Sequence, residues 1–288
     1  MHHMNRPAAA PLTVAALGLL LSGCDPQFTA DLTTDPPADP DITAVQVNLL
    51  GLEFRQDDGS LPTLEFRSGE RVDLLKLWSD REPMRLFTDE ELPAGQYTGV
   101  RLLFDEDVDQ NIVATLESDF PLVLEEGEFA DVDFVVEDDD DDEEAFTLML
   151  DLRQSLRFDE TDEEYTLLPQ LRAVRTEDAA RIEGDITFSC PTGTSLSTGG
   201  AVYAFEGQDV QPDDLDGVTP EPLATTSVYE TLNLRPRYEL RFLPAGDYTL
   251  ALTCRGDEDQ LDVDDSLDFG VTLDAQVENG EVLELDLE

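Results

Sequence analysis

The chain has 288 residues, enough for two ordinary domains, and its apolar fraction of 40% is enough to build their cores. Its 67 acidic and 17 basic residues give a formal charge of −50, which argues against nucleic acid as a partner. The acids indicate either a surface adapted to salty surroundings or carboxylates that bind cations. The first is favoured, because the acids are spread along the whole chain.

Residues 1–23 are predicted to be a lipoprotein signal peptide. Arg6 precedes an apolar segment, 8–21, that is too short to serve as a permanent transmembrane helix. The segment ends in Leu-Ser-Gly-Cys, which resembles the lipobox of bacterial lipoproteins. The resemblance implies cleavage before Cys24 and acylation of its thiol, which would anchor the protein in a lipid bilayer. An ordinary signal peptide with a chance cysteine is the alternative.

This leader places the protein in the cell envelope, lipid-anchored on the non-cytoplasmic side. Asp25 does not decide between the inner and the outer membrane. Both histidines, His2 and His3, lie in the leader, so the mature chain would contain none. Nucleophilic catalysis that depends on histidine and histidine-ligated metal sites are therefore excluded.

A carboxylate pair, as in glycosidases, is the remaining catalytic chemistry, and among so many acids such a pair occurs by chance. We therefore predict no catalytic residues and no enzyme activity. We also predict no cofactor, apart from the calcium considered below.

Residues 24–41, rich in proline, aspartate and threonine, are predicted to be a flexible tether that begins with the lipidated Cys24. Two series of alternating apolar and polar residues follow, at 42–176 and 181–288, with turn residues between short segments. This pattern predicts an all-β protein with two tandem β-sandwich domains. Within it, Arg71 to Trp78 fits a strand or a short helix, and Asn279-Gly280 predicts a hairpin near the end of the chain.

A phrase of seven residues occurs twice, as LPAGQYT from Leu92 and as LPAGDYT from Leu243. In each copy proline and glycine form a turn that leads into a strand. The tyrosines, Tyr97 and Tyr248, are expected to pack on the core and to return their hydroxyls to nearby backbone, as in the tyrosine corner of immunoglobulin-like sandwiches. A pair of ligand platforms is the functional alternative.

Two family resemblances follow from longer stretches. ITAVQVNLLGLEF, RVDLLKL, LPAGQYTGVRLLFD, LMLDLRQSL and YTLLPQLRAV make residues 42–176 resemble a bacterial lipoprotein module, domain of unknown function 4382. That family implies no activity and no site residues. IEGDITF, AVYAFE and LPAGDYTLAL make the second domain similar to transthyretin-like or carboxypeptidase-regulatory-like sandwiches, relatives of the immunoglobulin fold. The second resemblance implies an accessory module, and some such modules bind carbohydrate.

Cys190 and Cys254 are expected to form a structural disulfide, because the compartment beyond the inner membrane is oxidising. Two buried free thiols are the alternative.

Alternating acids suggest calcium ligands at two places. Asp105, Asp107 and Asp109 resemble the start of a calcium loop, but the glycine and the final acid of an EF-hand are missing. Asp257 and Asp259 repeat the pattern after the second LPAG phrase. A solvated acidic surface is the simpler interpretation of both.

The sequence favours a non-enzymatic envelope lipoprotein with a salt-adapted surface, acting as a binding or structural module on an envelope protein or a glycan. A calcium-dependent adhesion or carbohydrate-binding protein is the first alternative. A carboxylate-pair glycoside hydrolase is the second.

Overall fold

The computed structural model describes residues 27–106, 108–137 and 143–288, and they form an all-β protein, as the sequence predicts. The first group of strands is β1 (Gln27–Asp35), β2 (Ile42–Gln56), β3 (Thr63–Asp73), β4 (Met84–Glu91), β5 (Gly95–Phe104), β6 (Ile112–Thr115), β7 (Asp119–Leu124), β8 (Ala130–Val136), β9 (Glu143–Asp151), β10 (Leu156–Asp159), β11 (Glu164–Leu167) and β12 (Leu171–Arg175).

The second group is β13 (Ala180–Asp185), β14 (Ala201–Glu206), β15 (Ala224–Ser227), β16 (Tyr229–Glu230), β17 (Pro236–Leu243), β18 (Gly246–Thr253), β19 (Phe269–Val277) and β20 (Val282–Glu284). Short helices interrupt the strands: α1 (Leu74–Ser79), α2 (Leu196–Gly199) and one turn of 3-10 helix, Val108–Gln110. In the part of the chain that is described, no helix has the length and apolar character needed to cross a bilayer.

The first sandwich packs a four-stranded sheet, in the order β12-β9-β1-β4, against a larger sheet in the order β10-β11-β7-β6-β2-β5-β8, with β3 paired to β2. Aromatic rings join the two layers. Phe28 of β1 meets Phe54 of β2 edge to face, with ring centroids 5.1 Å apart. Phe134 of β8 lies 5.3 Å from Phe146 of β9. Their burial in one apolar core supplies the main driving force for this half of the fold.

The predicted flexible tether is wrong over much of its length, because residues 27–35 form strand β1. This strand lies between β4 and β9 in the middle of its sheet. Phe28, Ala30 and Leu32 point into the core, and the threonines of the strand, Thr29, Thr33 and Thr34, are buried as well. Thr34 keeps its hydroxyl satisfied by donating a 2.7 Å hydrogen bond to the carbonyl oxygen of Leu74. Hydrogen bonds to backbone let polar residues occupy a central strand.

The ambiguous segment from Arg71 to Trp78 is divided between both predicted states. Strand β3 ends at Asp73, and helix α1 begins at Leu74, whose side chain is fully buried. Asp73 marks the boundary, because its Oδ1 accepts a 3.2 Å hydrogen bond from the backbone N–H of Val45 in β2. The helix therefore starts from a fixed point on the larger sheet.

The second sandwich packs two four-stranded sheets, in the orders β16-β17-β13-β20 and β15-β14-β18-β19, around its own core. The hairpin predicted at Asn279-Gly280 is wrong. Strand β19 ends one sheet, whereas β20 crosses to the other and pairs in parallel with β13. Asn279-Gly280 is therefore a turn between sheets, in which the amide of Gly280 donates to the carbonyl oxygen of Asp178.

Both copies of the repeated phrase form the predicted tyrosine corner. The hydroxyl of Tyr97 donates a 2.7 Å hydrogen bond to the carbonyl oxygen of Pro93. Tyr248 makes the same bond to Pro244, also at 2.7 Å. Both rings are buried, and burial raises the pKa of each hydroxyl to about 12. Both tyrosines are therefore structural parts of the two cores, and their burial leaves them unable to serve as ligand platforms.

Candidate functional site

Arginine side chains fasten the two sandwiches to each other. Arg172 of β12 donates hydrogen bonds to the carbonyl oxygens of Leu223, Arg241 and Phe242, at 2.9, 3.2 and 3.1 Å. Arg241 of β17 donates in the opposite direction, to the carbonyl oxygen of Thr34 in β1 at 3.1 Å. Both arginines are buried, and burial lowers the pKa of Arg241 because it disfavours the charged form. Backbone carbonyls of each sandwich are thus satisfied by side chains of the other.

A second set of contacts continues this interface. The carboxylate of Asp151, at the end of β9, accepts hydrogen bonds from the backbone N–H of Thr225 at 2.9 Å and from its hydroxyl. The next residue but one, Arg153, donates to the carbonyl oxygen of Gly256 and, at 3.1 Å, to the hydroxyl of Ser227. Asp151 and Arg153 are both buried. Charged groups buried with hydrogen-bonding partners hold a contact in one geometry.

Asp35 occupies the least favourable position in this interface. Its side chain is 1% exposed, and neither carboxylate oxygen has a hydrogen-bond partner among the residues that the structure describes. Burial, and then the negative charge of Asp151, raise its pKa to about 8, although the positive charges of Arg172 and Arg241 act in the opposite direction. Asp35 is therefore protonated at neutral pH in the folded protein.

A cleft of about 500 Å³ opens beside this interface. The link between β1 and β2 forms one wall, α1 with the half-buried Trp78 forms another, and the second sandwich contributes the region of α2. Its lining is mixed, with prolines and Trp78 giving flat apolar surface next to hydroxyls and charged groups. The residues that line it are Pro36, Pro37, Ala38, Asp39, Pro40, Ile42, Thr43, Leu75, Lys76, Trp78, Ser79, Arg153, Ser197, Thr198, Gly199, Gly200, Ser227, Val228 and Asp257.

This composition suits a small polar ligand with an apolar face, such as a sugar. Such a site needs flat apolar contact together with a few polar groups that fix the orientation of the ligand. The cleft lies where both sandwiches meet, and pockets are common at domain interfaces. It is the candidate functional site.

The predicted disulfide is confirmed, since Cys190 and Cys254 are bonded to each other. Cys254 follows β18 directly, and Cys190 lies in the loop after β13. The bond therefore links one sheet of the second sandwich to a loop that leaves the other sheet. The predicted lipidation site, Cys24, lies outside the described residues and remains a prediction.

The calcium candidates of the first sandwich are only partly described. Asp105 follows β5, and its Oδ2 accepts a 3.0 Å hydrogen bond from the side-chain amide of Asn48. The side-chain amide of Asn111 donates a 2.7 Å hydrogen bond to the backbone carbonyl oxygen of Asp105. Asp109 is an exposed residue of the 3-10 turn, and Asp107 lies outside the described residues. Calcium binding by these three aspartates stays a prediction.

In the second sandwich the two calcium candidates, Asp257 and Asp259, lie in different environments. Asp257 is exposed and lines the cleft. Asp259 is buried and accepts a hydrogen bond from the hydroxyl of Tyr203. Its neighbouring carboxylates are those of Asp214 and Asp265, which the sequence interpretation did not select.

Several residues of the interface and the cleft were also missed, because their partners are distant in the chain. Arg172 and Arg241 are 69 residues apart, and Asp151 and Thr225 are 74 apart. One signal was present in the sequence: arginine is scarce in so acidic a chain, yet it recurs at positions that otherwise read as strand interiors.

Residues 29–169 match the family model of the domain of unknown function DUF4382. This match confirms the resemblance predicted for the first domain. It begins at residue 29, within β1, whereas the sequence predicts a start at residue 42. No curated protein is significantly similar to the chain in sequence.

Among solved structures, the chain is similar to the TIE protein of Bacillus anthracis, at 10% identity and a TM-score of 0.21, over 91% of this chain and 34% of that one. It is similar to a cell adhesion protein, described as putative, from Bacteroides fragilis, at 10% identity and a TM-score of 0.22, over 91% and 92% of the two chains. It is also similar to a fimbrial anchor protein from Porphyromonas gingivalis, at 10% identity and a TM-score of 0.20, over 90% of each chain. The chain spans about a third of the length of the first of these.

Proposed function

We propose that this protein is a non-enzymatic component of the cell envelope in which two β-sandwiches act as one rigid module for binding or for structural support. The buried interface carries this proposal. Buried charged side chains form hydrogen bonds from one sandwich to the other: those of Arg153, Arg172, Arg241 and Asp151. Separating the sandwiches would leave these charged groups and their backbone partners without each other, which is costly for groups held in this way.

The proposed lipid anchor rests on the sequence, and the fold determines how far the first sandwich would lie from the membrane. If Cys24 is acylated, only Asp25 and Pro26 separate it from β1. The first sandwich would then sit next to the bilayer surface rather than at the end of a long tether. The acidic surface, with its formal charge of −50, suits saline surroundings that screen repulsion from anionic lipids.

Fractionation of cells that express the chain tests this anchor. Wild-type protein is expected in the membrane fraction, released only by detergent, and its mass is expected to include acyl chains on Cys24. Cys24→Ser is expected to carry no acyl mass and to keep the leader, residues 1–23. Soluble wild-type protein, or an unmodified and uncleaved amino terminus, would contradict the anchor.

The cleft is the proposed binding surface, and a glycan is the proposed class of ligand. Trp78 supports this choice, because it supplies flat apolar surface beside the hydroxyls of Ser197 and Thr198. The chain contains one tryptophan, so its fluorescence reports on the cleft alone. We expect oligosaccharides selected on a glycan array to change the emission of Trp78 on titration.

Two variants make this test specific. Ser197→Tyr, at an exposed position in the cleft wall, is expected to abolish binding and to leave the fold intact. Leu232→Tyr, at a fully exposed position away from the cleft, is the matched control and is expected to bind as the wild type does. If no oligosaccharide changes the emission, the proposed glycan ligand is wrong.

A carboxylate-pair hydrolase is a weaker proposal. Asp35, whose pKa is raised to about 8, is a carboxyl that stays protonated at neutral pH, as a general acid must. It is, however, buried in the interface between the sandwiches. A substrate therefore has no access to it, and we do not assign it a catalytic role.

A further inference from the structure

Two long loops cover the outer face of one sheet in the second sandwich. Residues 207–223 join β14 to β15, and residues 254–268 join β18 to β19. Apolar side chains from both loops pack over Tyr203 and Phe205 of β14 and make a small core apart from the main one: Val210, Leu215, Leu261 and Leu267. Long irregular loops with a core of their own are usually kept for a function.

Three carboxylates meet where the loops touch. Asp214 comes from the first loop, and Asp259 and Asp265 come from the second. One oxygen from each lies within 4.8 Å of the other two. Asp214 is 2% exposed and Asp259 is 5% exposed. Asp265 is half-buried. Two of the three acids are therefore enclosed by the loops, which distinguishes the group from a solvated acidic surface.

The hydrogen bonds of this cluster fix its geometry. Asp259 accepts from the hydroxyl of Tyr203 and, at 3.2 Å, from the backbone N–H of Leu215. Asp214 accepts from the backbone N–H of Asp265. Each loop thus holds a carboxylate of the other, and the three carboxylate groups are kept together before any ligand arrives.

One buried oxygen in this cluster has no hydrogen-bond partner in the described part of the chain. It is Oδ1 of Asp214. A buried polar atom without a partner is costly, and more so on a carboxylate with two others beside it.

The nearby arginines compensate this charge only in part. The charge of Arg153 acts favourably on Asp259, but its guanidinium donates its hydrogen bonds to the carbonyl oxygen of Gly256 and to Ser227. Arg157 forms its ion pair with Asp262, at 2.7 Å. Three converging carboxylates with an unsatisfied buried oxygen therefore call for a further cation.

We infer that Asp214, Asp259 and Asp265 bind a calcium ion that fastens the two loops over the outer face of the sheet. Two oxygens that each lie about 2.4 Å from one calcium ion can be at most about 4.8 Å apart, and one oxygen from each of the three carboxylates lies within that distance of the other two. Ligand sets of oxygen alone select hard cations, and calcium accepts irregular geometry that magnesium does not. The inference goes beyond the proposed function, because the site is separate from the cleft and needs no glycan.

Calorimetric titration of the whole chain with calcium chloride, after removal of divalent ions, tests this site. Thermal unfolding is measured in parallel with calcium chloride, with magnesium chloride, and with sodium chloride at equal ionic strength. We expect one calcium bound per chain at this site and a Tm several degrees higher with calcium than with either other salt. No binding heat, or an equal effect of magnesium, would overturn the assignment.

Matched variants locate the site. Asp214→Asn and Asp265→Asn are expected to lose at least tenfold in calcium affinity together with the gain in Tm. Asp264→Asn, an exposed residue of the same loop, removes the same charge and is expected to behave as the wild type does. Equal behaviour of all three variants would contradict the site. Asp259 is not substituted, because its carboxylate also accepts hydrogen bonds from the hydroxyl of Tyr203 and the backbone N–H of Leu215, and their loss could disturb the fold.

Hydrogen exchange of the wild type gives a reading that does not depend on any variant. Calcium is expected to slow exchange in residues 207–223 and 254–268 and to leave the first sandwich unchanged. If the exchange of both loops were the same with and without calcium, the inference would fail. Neither result bears on glycan binding at Trp78, so the two proposals can fail separately.

Discussion

The hydroxyl of Tyr248 donates a 2.7 Å hydrogen bond to the carbonyl oxygen of Pro244, four residues earlier in the chain. Tyr97 and Pro93 repeat this bond in the first sandwich, at the same distance. The repeated phrase of the sequence therefore encodes one structural device used twice. It closes the turn before β5 and before β18, and it lets a polar ring tip enter each core without an unsatisfied hydroxyl.

Removal of either hydroxyl should weaken the fold. We expect Tyr97→Phe and Tyr248→Phe each to lower the free energy of unfolding by about 1 kcal/mol, because each variant loses the hydrogen bond to its proline carbonyl oxygen. Urea denaturation measures this change. Tyr229→Phe, at a half-buried edge position, is the control and is expected to change little. Equal losses in all three variants would mean that the corner bonds add nothing.

Asp35 should make the stability of the protein depend on pH. Its pKa is about 8 in the folded protein, against an ordinary value of 3.8. Between these values the folded state holds a proton that the unfolded state has released. The stability that Asp35 contributes is therefore greatest below about pH 4, falls as the pH rises, and levels off just above pH 8. We expect Asp35→Asn to remove this loss and to exceed the wild type in stability by on the order of 3 kcal/mol at pH 9.

Urea denaturation of both proteins between pH 5 and pH 9 measures this difference, because this interval covers most of the loss and ends above the pKa of Asp35 in the folded protein, about 8. The other acids also repel one another more as pH rises, and the comparison with the wild type removes that shared effect. Asp131→Asn, whose side chain is 96% exposed, is the control and is expected to follow the wild type. A difference that does not change with pH would show that Asp35 is ionised throughout.

The disulfide should contribute a large share of the stability of the second sandwich. Cys190 and Cys254 are 64 residues apart, and closing a loop of that length is worth about 4 kcal/mol in the chain-entropy model. We expect the double variant Cys190→Ser/Cys254→Ser to lose about this amount in urea denaturation. Reduction of the wild type is the independent control and should have the same effect. A loss of less than about 1 kcal/mol would mean that the bond constrains little.

Salt should stabilise the protein without specificity for one ion. The formal charge of −50 makes the compact state repel itself, and added salt screens that repulsion. We expect the Tm to rise steeply with sodium chloride over the submolar range and to rise much less with sucrose, which does not screen charge. The same midpoint at low and high salt would end the interpretation of the surface as salt-adapted.

The sequence predicts the fold where local chemistry decides it. Proline, glycine and tyrosine at fixed spacing predict both corners, and alternating residues predict β2 and β5. Strand β1 was missed because its threonines and aspartates read as a solvated segment. Only the position between β4 and β9 shows that those polar side chains are buried.

Contacts between distant residues explain the remaining differences. Asn279-Gly280 is a favourable hairpin pair, yet β20 bonds to β13. This pairing lets Leu283, Leu285 and Leu287 pack on the core of the second sandwich. Asp259 was singled out for its alternation with Asp257. Its cluster instead includes Asp214 and Asp265, and the loop of Asp214 contacts that of Asp259 across 44 residues of sequence, through Leu215. Local spacing does not carry that information.

Calorimetric unfolding of the whole chain tests most directly whether buried arginines join the two sandwiches into one rigid unit. We expect one transition, with equal calorimetric and van't Hoff enthalpies, which splits into two in Arg172→Met. Two separate transitions in the wild type would contradict the claim, because they would show that each sandwich unfolds independently of the other.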